Sequence, residues 1–408
     1  MRVRRRIMIP AAVIAAALTI TGCTGPGSGG SSATPDPADT SASSGSTPAP
    51  QDQVSAILVE PIHAAQVVRG TDGKDHVKYE LLVVNAFSDP VTLKNVTVVG
   101  PDGKDLTRIQ GNTLAAATQT LYTHTPSAVV PASAAVAVEV DLPLPSGDEV
   151  PARVSHRIEY TLPADVAGAV IIDDTVVHGP EVEVDRTKAT MIAPPLAGGG
   201  WLATSACCSP NVHGDLRLAA GGLRLATAET FAVDWAKVKG DRVYDGDGST
   251  NEQFYDFGAN VLAVADGTIV SVQDGVEEST PFASKPPETK DGFGGNNLML
   301  KIADHVYAAY AHLQPGSLAV HVGDTVKTGQ VLAKLGNTGP SQGPHLHFGL
   351  LDKPDLFTGK SLPFVFKKFT LVGTVDFSAL TGDELVISRE SREISKAYPL
   401  YGTIVDFP

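Results

Sequence analysis

The chain has 408 residues, of which 31 are Lys or Arg and 45 are Asp or Glu, so its formal net charge is −14. This acidic balance argues against a nucleic-acid partner, because binding to nucleic acid calls for a basic face. After residue 20, no apolar run is long enough to span a bilayer. Without about 55 residues at its N-terminus, the chain is still long enough for two domains of ordinary size.

The N-terminal segment has the pattern of an export signal. Its first six residues, MRVRRR, carry four arginines, and a short apolar run from Ile7 to Ile20 follows them. The pattern predicts a secretory signal over residues 1–22. The run ends in ITGC and resembles the lipobox of bacterial lipoproteins, which implies that Cys23 is acylated and becomes the mature N-terminus. The alternative is an ordinary signal peptide with an incidental cysteine.

Residues 23–54 are mainly Gly, Ser, Thr, Pro and Ala. Such a segment cannot bury a core, so we predict a flexible linker that carries the lipid at its first residue. A lipid anchor followed by a linker predicts that the folded part lies outside the cytoplasm and close to the cell membrane.

Residues 55–190 consist of short β-rich runs separated by turns, among them KYELLVVNAFS and RVSHRIEYTLP. This alternation predicts an all-β sandwich of the immunoglobulin-like type. Its histidines are scattered over separate strands and loops, and we interpret them as surface or structural residues. They are His63, His76, His124, His156 and His178.

The strand pattern continues through residues 191–365 with almost no helical period, for example in VLAVADGTIVSVQDG and NNLMLKIADHVYAAYAHL. A compact antiparallel sheet with tight glycine turns is the economical fold. Residues 366–408 are interpreted as an extension packed on this second domain. The predicted fold class is therefore all-β, with a sandwich followed by an antiparallel sheet domain.

The stretch GPHLHFGL, residues 343–350, places His345 and His347 two positions apart. In a strand, residues two apart point to the same face, so both imidazoles face one side of the sheet. This arrangement suits either one zinc ligand beside a general base or two zinc ligands.

The segments around these histidines, GNTGPSQGPHLHF, YAHL, ADGTIV and GQVLAKLG, resemble the M23 family of zinc peptidases, the LytM or lysostaphin type, which cut peptidoglycan. The resemblance implies that Asp234 in ETFAVDW and His347 are zinc ligands, and that His312 and His345 are the two histidines beside the metal that do not bind it. Zinc with three protein ligands keeps its fourth position for water, and a nearby histidine can take a proton from that water.

The sequence departs from the family at the first ligand of its H-x-x-x-D motif, where Thr230 stands in place of histidine. Threonine is a poor zinc ligand. We hypothesise that His213, in the upstream stretch SACCSPNVHGD, takes the vacant position. Cys207 or Cys208 is an alternative ligand, although the two adjacent cysteines could instead form a vicinal disulfide or be buried thiols.

Two functions follow from this interpretation. The first is a zinc-dependent endopeptidase that acts on peptidoglycan peptides at the cell envelope, with Zn²⁺ held by Asp234, His347 and His213. The alternative is a non-catalytic protein that uses the same groove to bind peptidoglycan or to regulate a partner wall hydrolase. Thr230 favours the alternative, whereas the retention of the other site residues favours the enzyme.

Overall fold

The computed structural model describes residues 54–121, 125–166, 169–172, 174–283, 286–287, 289–379 and 384–408. The predicted signal and linker, the lipidation site Cys23 and the scattered histidine His124 lie outside the described residues. Residues 50–408 form one compact unit. The helices in the described part of the chain are all too short or too polar to cross a membrane.

The prediction of an all-β protein is confirmed, since a single short α-helix, Gly111–Ala117, is present among the described residues. The compact unit contains two large sheets, each with a core of its own. We refer to residues 57–185 as the first domain and to residues 190–408 as the second domain, and the predicted domain boundaries stay a prediction. The described part of the first domain contains ten strands. They are β1 (Ile57–Pro61), β2 (Ala65–Arg69), β3 (Asp75–Asn85), β4 (Val91–Val99), β5 (Asp105–Gln110), β6 (Thr118–Thr120), β7 (Val129–Val130), β8 (Ala135–Leu144), β9 (Arg153–Thr161) and β10 (Val176–Asp185).

These ten strands belong to one sheet whose two groups are joined by the parallel pairing of β10 with β2, and their buried side chains form one core. In the first group β3 pairs with β1, β2 and β8, and β8 also pairs with β6. In the second, β4 pairs with β5, β7 and β9, and β9 pairs with β10. Side chains alternate across each strand, so Tyr79 and Leu81 of β3 meet Ile158 and Tyr160 of β9 in the shared core. The immunoglobulin-like topology remains a prediction.

The second domain contains sixteen strands among the described residues, and most of them belong to one large sheet. They are β11 (Thr190–Ile192), β12 (Gly198–Ser205), β13 (Arg217–Ala220), β14 (Arg224–Thr227), β15 (Val233–Lys237), β16 (Asn260–Leu262), β17 (Gly267–Gln273), β18 (Asn296–Ala303), β19 (Val306–Leu313), β20 (Thr325–Val326), β21 (Val331–Lys334), β22 (Leu346–Leu351), β23 (Ser361–Leu362), β24 (Phe364–Val375), β25 (Ile387–Ala397) and β26 (Thr403–Phe407).

The strand order of the large sheet is β11-β24-β26-β12-β15-β22-β19-β18-β17-β20. We interpreted residues 366–408 as an extension. This region supplies all of β25 and β26 and most of β24 to the large sheet. It therefore completes the sheet on one side of β12 instead of only covering it. Two short antiparallel pairs, the hairpin of β13 with β14 and the pair of β16 with β21, stand outside the sheet.

Strands β15 and β22 occupy the middle of the large sheet. Their inward side chains, among them Trp235 and Phe348, are fully buried in its core. A strand held by hydrogen bonds along both edges and by a packed face has little freedom to move. The side chains on the other face of β15 and β22 are therefore held in place by the sheet.

Candidate metal centre

Two of the predicted ligands lie on adjacent central strands. Asp234 on β15 and His347 on β22 are directly opposite each other in the antiparallel ladder. Directly opposite side chains on one face are close enough to touch, and here His347 Nδ1 lies 2.9 Å from Asp234 Oδ1. The sheet register alone is sufficient to bring these two residues together.

The third predicted ligand, His213, reaches the same carboxylate from outside the sheet. It lies in a 3-10 helix, Val212–Asp215, that begins after Asn211, whose side-chain oxygen accepts a hydrogen bond from the His213 backbone N–H. His213 Nε2 lies 3.1 Å from Asp234 Oδ2, and the His213 ring packs edge-on against the ring of His347. The structure therefore brings His213 together with the two strand residues.

His213, Asp234 and His347 each offer one ligand atom, and these three atoms all lie within 4.8 Å of one another. Burial opposes ionisation of Asp234, but the charges of His213 and His345 outweigh it and hold the pKa of Asp234 well below its usual range. Burial also lowers the pKa of His213, but the negative charge of Asp234 prevails and raises this pKa to about 9. The site therefore favours positive charge, and two imidazole nitrogens with one carboxylate are a ligand set that zinc uses.

Thr230 is the residue that the family resemblance predicts in place of the first histidine ligand. It is 9% exposed, and its hydroxyl donates to the Thr227 carbonyl at 3.4 Å. Thr230 and His213 line the same small cavity. In this arrangement the imidazole of His213 faces Asp234, whereas the Thr230 hydroxyl bonds the backbone of its own turn.

Cys207 and Cys208 form a vicinal disulfide, so the alternatives of free thiols and of a cysteine ligand are wrong. A sulfur in a disulfide is not a thiolate and does not bind zinc. Cys208 also lies near His76 and Asp141, and for the same reason that group lacks a sulfur ligand. The Cys207 N–H donates to the Tyr398 hydroxyl at 3.2 Å, which ties the disulfide loop to the segment that follows β25.

The two remaining histidines stand beside the cluster. The rings of His312 and His345 lie 4.6 Å apart between centroids, and the rings of His312 and His347 lie 6.1 Å apart. His345 Nε2 is 3.6 Å from Asp234 Oδ1. His312, at the end of β19, has a φ of 61°, a costly backbone conformation for a residue other than glycine that the surrounding structure must hold.

Hydrogen bonds assign the tautomers of this pair. His312 Nδ1 lies 2.7 Å from the Thr338 carbonyl, which can only accept, so Nδ1 carries the hydrogen and Nε2 keeps its lone pair. His345 Nδ1 lies 2.9 Å from the Gly343 carbonyl and carries its hydrogen for the same reason. Burial, followed by the charges of His345 and His347, lowers the pKa of His312 to about 3, so His312 is neutral at neutral pH.

Sequence reasoning missed Glu229, whose Oε1 lies 3.9 Å from His347 Nε2. A carboxylate on the outer nitrogen of a ligating histidine orients the ring and raises its basicity. The signal available in the sequence was the place of Glu229 directly before Thr230, the residue that the resemblance predicts in place of the first ligand. Ser341 was also missed, and its hydroxyl lies 3.1 Å from His345 Nδ1.

Fold and site together define a class of protein: a β-sheet protein with the histidine and aspartate arrangement of a metallohydrolase. Residues 253–357 match the model of Peptidase family M23, so the chain carries an M23 peptidase domain. The matched region contains His312, His345 and His347, whereas Asp234 and His213 lie upstream of it.

Two curated relatives match a short part of the chain. An uncharacterized metalloprotease of Haemophilus influenzae is 34% identical over 88 residues, 21% of this chain and 17% of that protein. The peptidoglycan DD-endopeptidase ShyC of Vibrio cholerae is 32% identical over 94 residues, 23% of this chain and 19% of that protein. The chain thus spans less than a fifth of the length of either relative.

Two solved structures show similarity to this chain. The catalytic domain of lysostaphin from Staphylococcus simulans is 26% identical, with 30% of this chain and 86% of that chain covered and a TM-score of 0.19. The catalytic domain of the prophage-encoded M23 protein EnpA from Enterococcus faecalis is 21% identical, with 40% of this chain and 90% of that chain covered and a TM-score of 0.25.

Proposed function

We propose that this protein is a zinc-dependent endopeptidase that cuts peptidoglycan peptides at the cell envelope. The observation that carries the proposal is the convergence of His213, Asp234 and His347 within 4.8 Å beside two further histidines. The M23 domain supports the reaction class, and the relative named as a peptidoglycan DD-endopeptidase supports the substrate. The N-terminal signal pattern and Cys23 support a location outside the cytoplasm on a lipid anchor.

In this proposal His213, Asp234 and His347 hold the zinc ion, with His213 in the place that Thr230 cannot fill. A zinc ion bound by three protein ligands would supply Lewis-acid activation of a water molecule and of the scissile carbonyl. Glu229 Oε1, 3.9 Å from His347 Nε2, places a negative charge on the outer side of the ring. Strands β15 and β22 supply two ligands on a rigid support, and the loop that precedes β13 supplies the third.

His312 and His345 perform the proton and charge work. Both rings donate Nδ1–H to a backbone carbonyl, so each ring in its neutral form has an Nε2 lone pair that can accept a proton. One of them takes the proton of the attacking water and returns it to the leaving amine. The other, when protonated, stabilises the negative charge that develops on the carbonyl oxygen.

The alternative function is a non-catalytic protein that binds peptidoglycan or a partner wall hydrolase in the same groove. Thr230 is the observation that favours it, because the family's first ligand is missing there. The two functions differ in one property that can be measured first, the binding of zinc.

The test is the zinc content of the purified protein, measured by mass spectrometry without added chelator and compared with its His347→Ala and His213→Ala variants. We expect close to one zinc per chain in the parent protein and a large loss in both variants. Peptidoglycan digested by the parent protein should then show new peptide amino termini. If the parent protein holds no zinc even after incubation with the metal, the enzyme proposal is wrong and the binding function takes its place.

A second variant tests His213 as the replacement ligand. Because Thr230 and His213 line the same cavity, adding Thr230→His to the His213→Ala variant should return part of the zinc content. The matched control is Thr230→Ala in the same background, which should return none. Unchanged zinc content in the His213→Ala variant itself would exclude His213 as a ligand.

A further inference from the structure

The face of the sandwich sheet that points away from the sandwich core is also buried. In a sheet that packs on one core, this face usually contacts solvent. On β3 the side chains of Val77, Tyr79 and Leu81 face the sandwich core, so Lys78 and Glu80 face the opposite side. That side is covered too, and the side chains of Lys78 and Glu80 are only 4% and 3% exposed. The cover is the loop of the second domain that carries His213 and Arg217.

A compact group of four charged side chains fills this contact, and we refer to Lys78, Glu80, Glu139 and Arg217 as the interdomain charge cluster. Glu80 on β3 and Glu139 on β8 are directly opposite in the ladder, so the two carboxylates would repel each other if left alone. Lys78 Nζ lies 2.7 Å from Glu139 Oε2 and Arg217 Nη2 lies 3.1 Å from Glu139 Oε1. Two cations therefore balance two anions in a buried place, and Arg217 comes from the other domain.

Burial opposes ionisation of Glu80, but the charge of Arg217 prevails and lowers the pKa of Glu80 to about 2. The Arg217 side chain is only 1% exposed. Removing one member of such a buried group leaves an uncompensated charge, so the cluster holds its members firmly in place.

The interdomain charge cluster holds the His213 loop on both sides of the histidine. Before it, Lys78 Nζ donates to the Cys208 carbonyl at 3.2 Å. After it, Arg217 follows His213 by four residues and pairs with Glu139. Between these points, Gly214 lies so close to Glu139 that a side-chain carbon added there would overlap the carboxylate.

His213 depends on such support more than the other two candidate ligands do. Asp234 and His347 lie on paired strands in the middle of a sheet, whereas His213 lies in a four-residue 3-10 helix outside it. A loop keeps a ligand in position only where its own contacts are specific. The sandwich domain supplies several of these contacts.

We propose that Glu139, together with Lys78 and Arg217, positions His213 for metal binding, so that the sandwich domain completes the metal centre of its neighbour. The proposal rests on the proposed function, because it assumes that His213 is a zinc ligand. Glu139 is a positioning residue in this scheme, since it acts through the loop and does not touch the metal.

The test is the zinc dissociation constant of the full-length protein, measured by competition with a chromophoric chelator. Glu139→Gln keeps the side-chain shape but removes the negative charge between the two cations. We expect it to weaken zinc binding about tenfold or more, the usual cost of losing an outer support of a ligand. Gly214→Ala keeps every charge but forces the loop and the Glu139 carboxylate apart, and it should weaken zinc binding by a similar factor.

The control is Tyr160→Phe, which removes the hydroxyl that bonds Ala56 N–H and the Asp174 carbonyl within the sandwich. It should lower the thermal unfolding midpoint while the zinc affinity stays within about twofold of the parent value. A loss of zinc affinity in this control as large as in Glu139→Gln would mean that any weakening of the sandwich has the same effect, and the proposal would fail.

A double-variant cycle separates positioning from general damage. In the His213→Ala background, Glu139→Gln should have little further effect on zinc affinity, because both changes act through the same ligand. An equal loss with and without His213 would overturn the proposal. Unchanged zinc affinity in both Glu139→Gln and Gly214→Ala would overturn it as well, although the proposed function would still stand. If the parent protein itself binds no zinc, the proposed function is the part that fails.

Discussion

Buried histidines occur in both domains, and the partners of His156 differ from those of the histidines in the candidate metal centre. His76 of the sandwich is a separate case, since it contacts the carboxylates of Asp141 and Asp72. In the sandwich, His156 donates Nδ1–H to the Pro180 carbonyl and accepts from the Tyr79 hydroxyl at Nε2, so each nitrogen has a partner of its own. Burial lowers the pKa of His156 to about 4 and the ring stays neutral. In the second domain, His213, His345 and His347 all approach one carboxylate, Asp234.

This difference offers a criterion for separating structural histidines from candidate ligands. When each ring nitrogen of a buried histidine bonds a neutral partner, the hydrogen-bonding capacity of the ring is satisfied. Such a histidine is a structural residue of the core. Several imidazole nitrogens that contact one carboxylate are directed at a common point, and the loss of their protons frees a lone pair on each of them. A metal ion is the group that uses such lone pairs together.

The largest expected effect comes from the shared carboxylate cluster. His347→Ala, or removal of zinc by a chelator, should lower peptidoglycan cleavage by about 10³-fold or more, because the Lewis acid is lost. Cleavage is measured by the release of peptides from purified peptidoglycan. Added zinc should restore the chelated parent protein and leave the variant inactive, and activity that survives both treatments would contradict a metal mechanism.

Next in size is the effect of the histidines that do not bind the metal in our proposal. His312→Ala and His345→Ala should each lower the cleavage rate by about 10² to 10⁴-fold, the range for losing a general acid or base. Both variants should keep close to one zinc per chain. Loss of zinc from either variant would instead assign that histidine to the ligand set.

Replacement of a structural histidine in the sandwich should lower stability and leave the metal centre unchanged. His156→Leu leaves the Tyr79 hydroxyl and the Pro180 carbonyl without their partner, so it should lower the free energy of unfolding by about 1–3 kcal/mol. Zinc content should stay unchanged. Urea denaturation of chelator-treated protein measures the first quantity, and a drop in zinc content of the folded variant would remove the distinction between the two domains.

The smallest expected effect concerns Glu278, a half-buried carboxyl in the loop after β17. Burial raises the pKa of Glu278 to about 7. The raised folded-state pKa means that folding is penalised when this group ionises, so its destabilising contribution grows as pH rises from about 4.5 through 7. Glu278→Gln should stabilise the protein at pH 8 by about 1 kcal/mol, discounted for solvent screening, and have little effect at pH 4.

The measurement for Glu278 is the difference in urea midpoint between variant and parent at the two pH values. A difference that is equal at both would show that ionisation of Glu278 is not its cause. The backbone N–H of Asn337 donates to this carboxylate at 2.6 Å, and the amide oxygen of glutamine can accept the same bond.

Much of the fold could be predicted from the sequence, because strand alternation is a local pattern that survives in any tertiary context. The all-β class and the M23 domain are confirmed. The assignment of His213, Asp234 and His347 as metal ligands, and of His312 and His345 as catalytic residues, stays a prediction, although all five side chains converge. The lipid anchor at Cys23 also stays a prediction.

The sequence by itself determined the expectation that His345 and His347 share a face, because a strand alternates its side chains with a period of two. β22 begins only at Leu346, so His345 lies just before the strand, and both rings nevertheless approach Asp234. It also determined that Thr230 cannot act as a strong zinc ligand, because that follows from residue chemistry alone. The pairing of Asp234 with His347 required the register of β15 against β22, which arises from sheet packing. Only the tertiary structure decided how His213 reaches Asp234. Its loop is held by Glu139 and Lys78 of another domain, and no local pattern records a contact between residues so far apart in the chain.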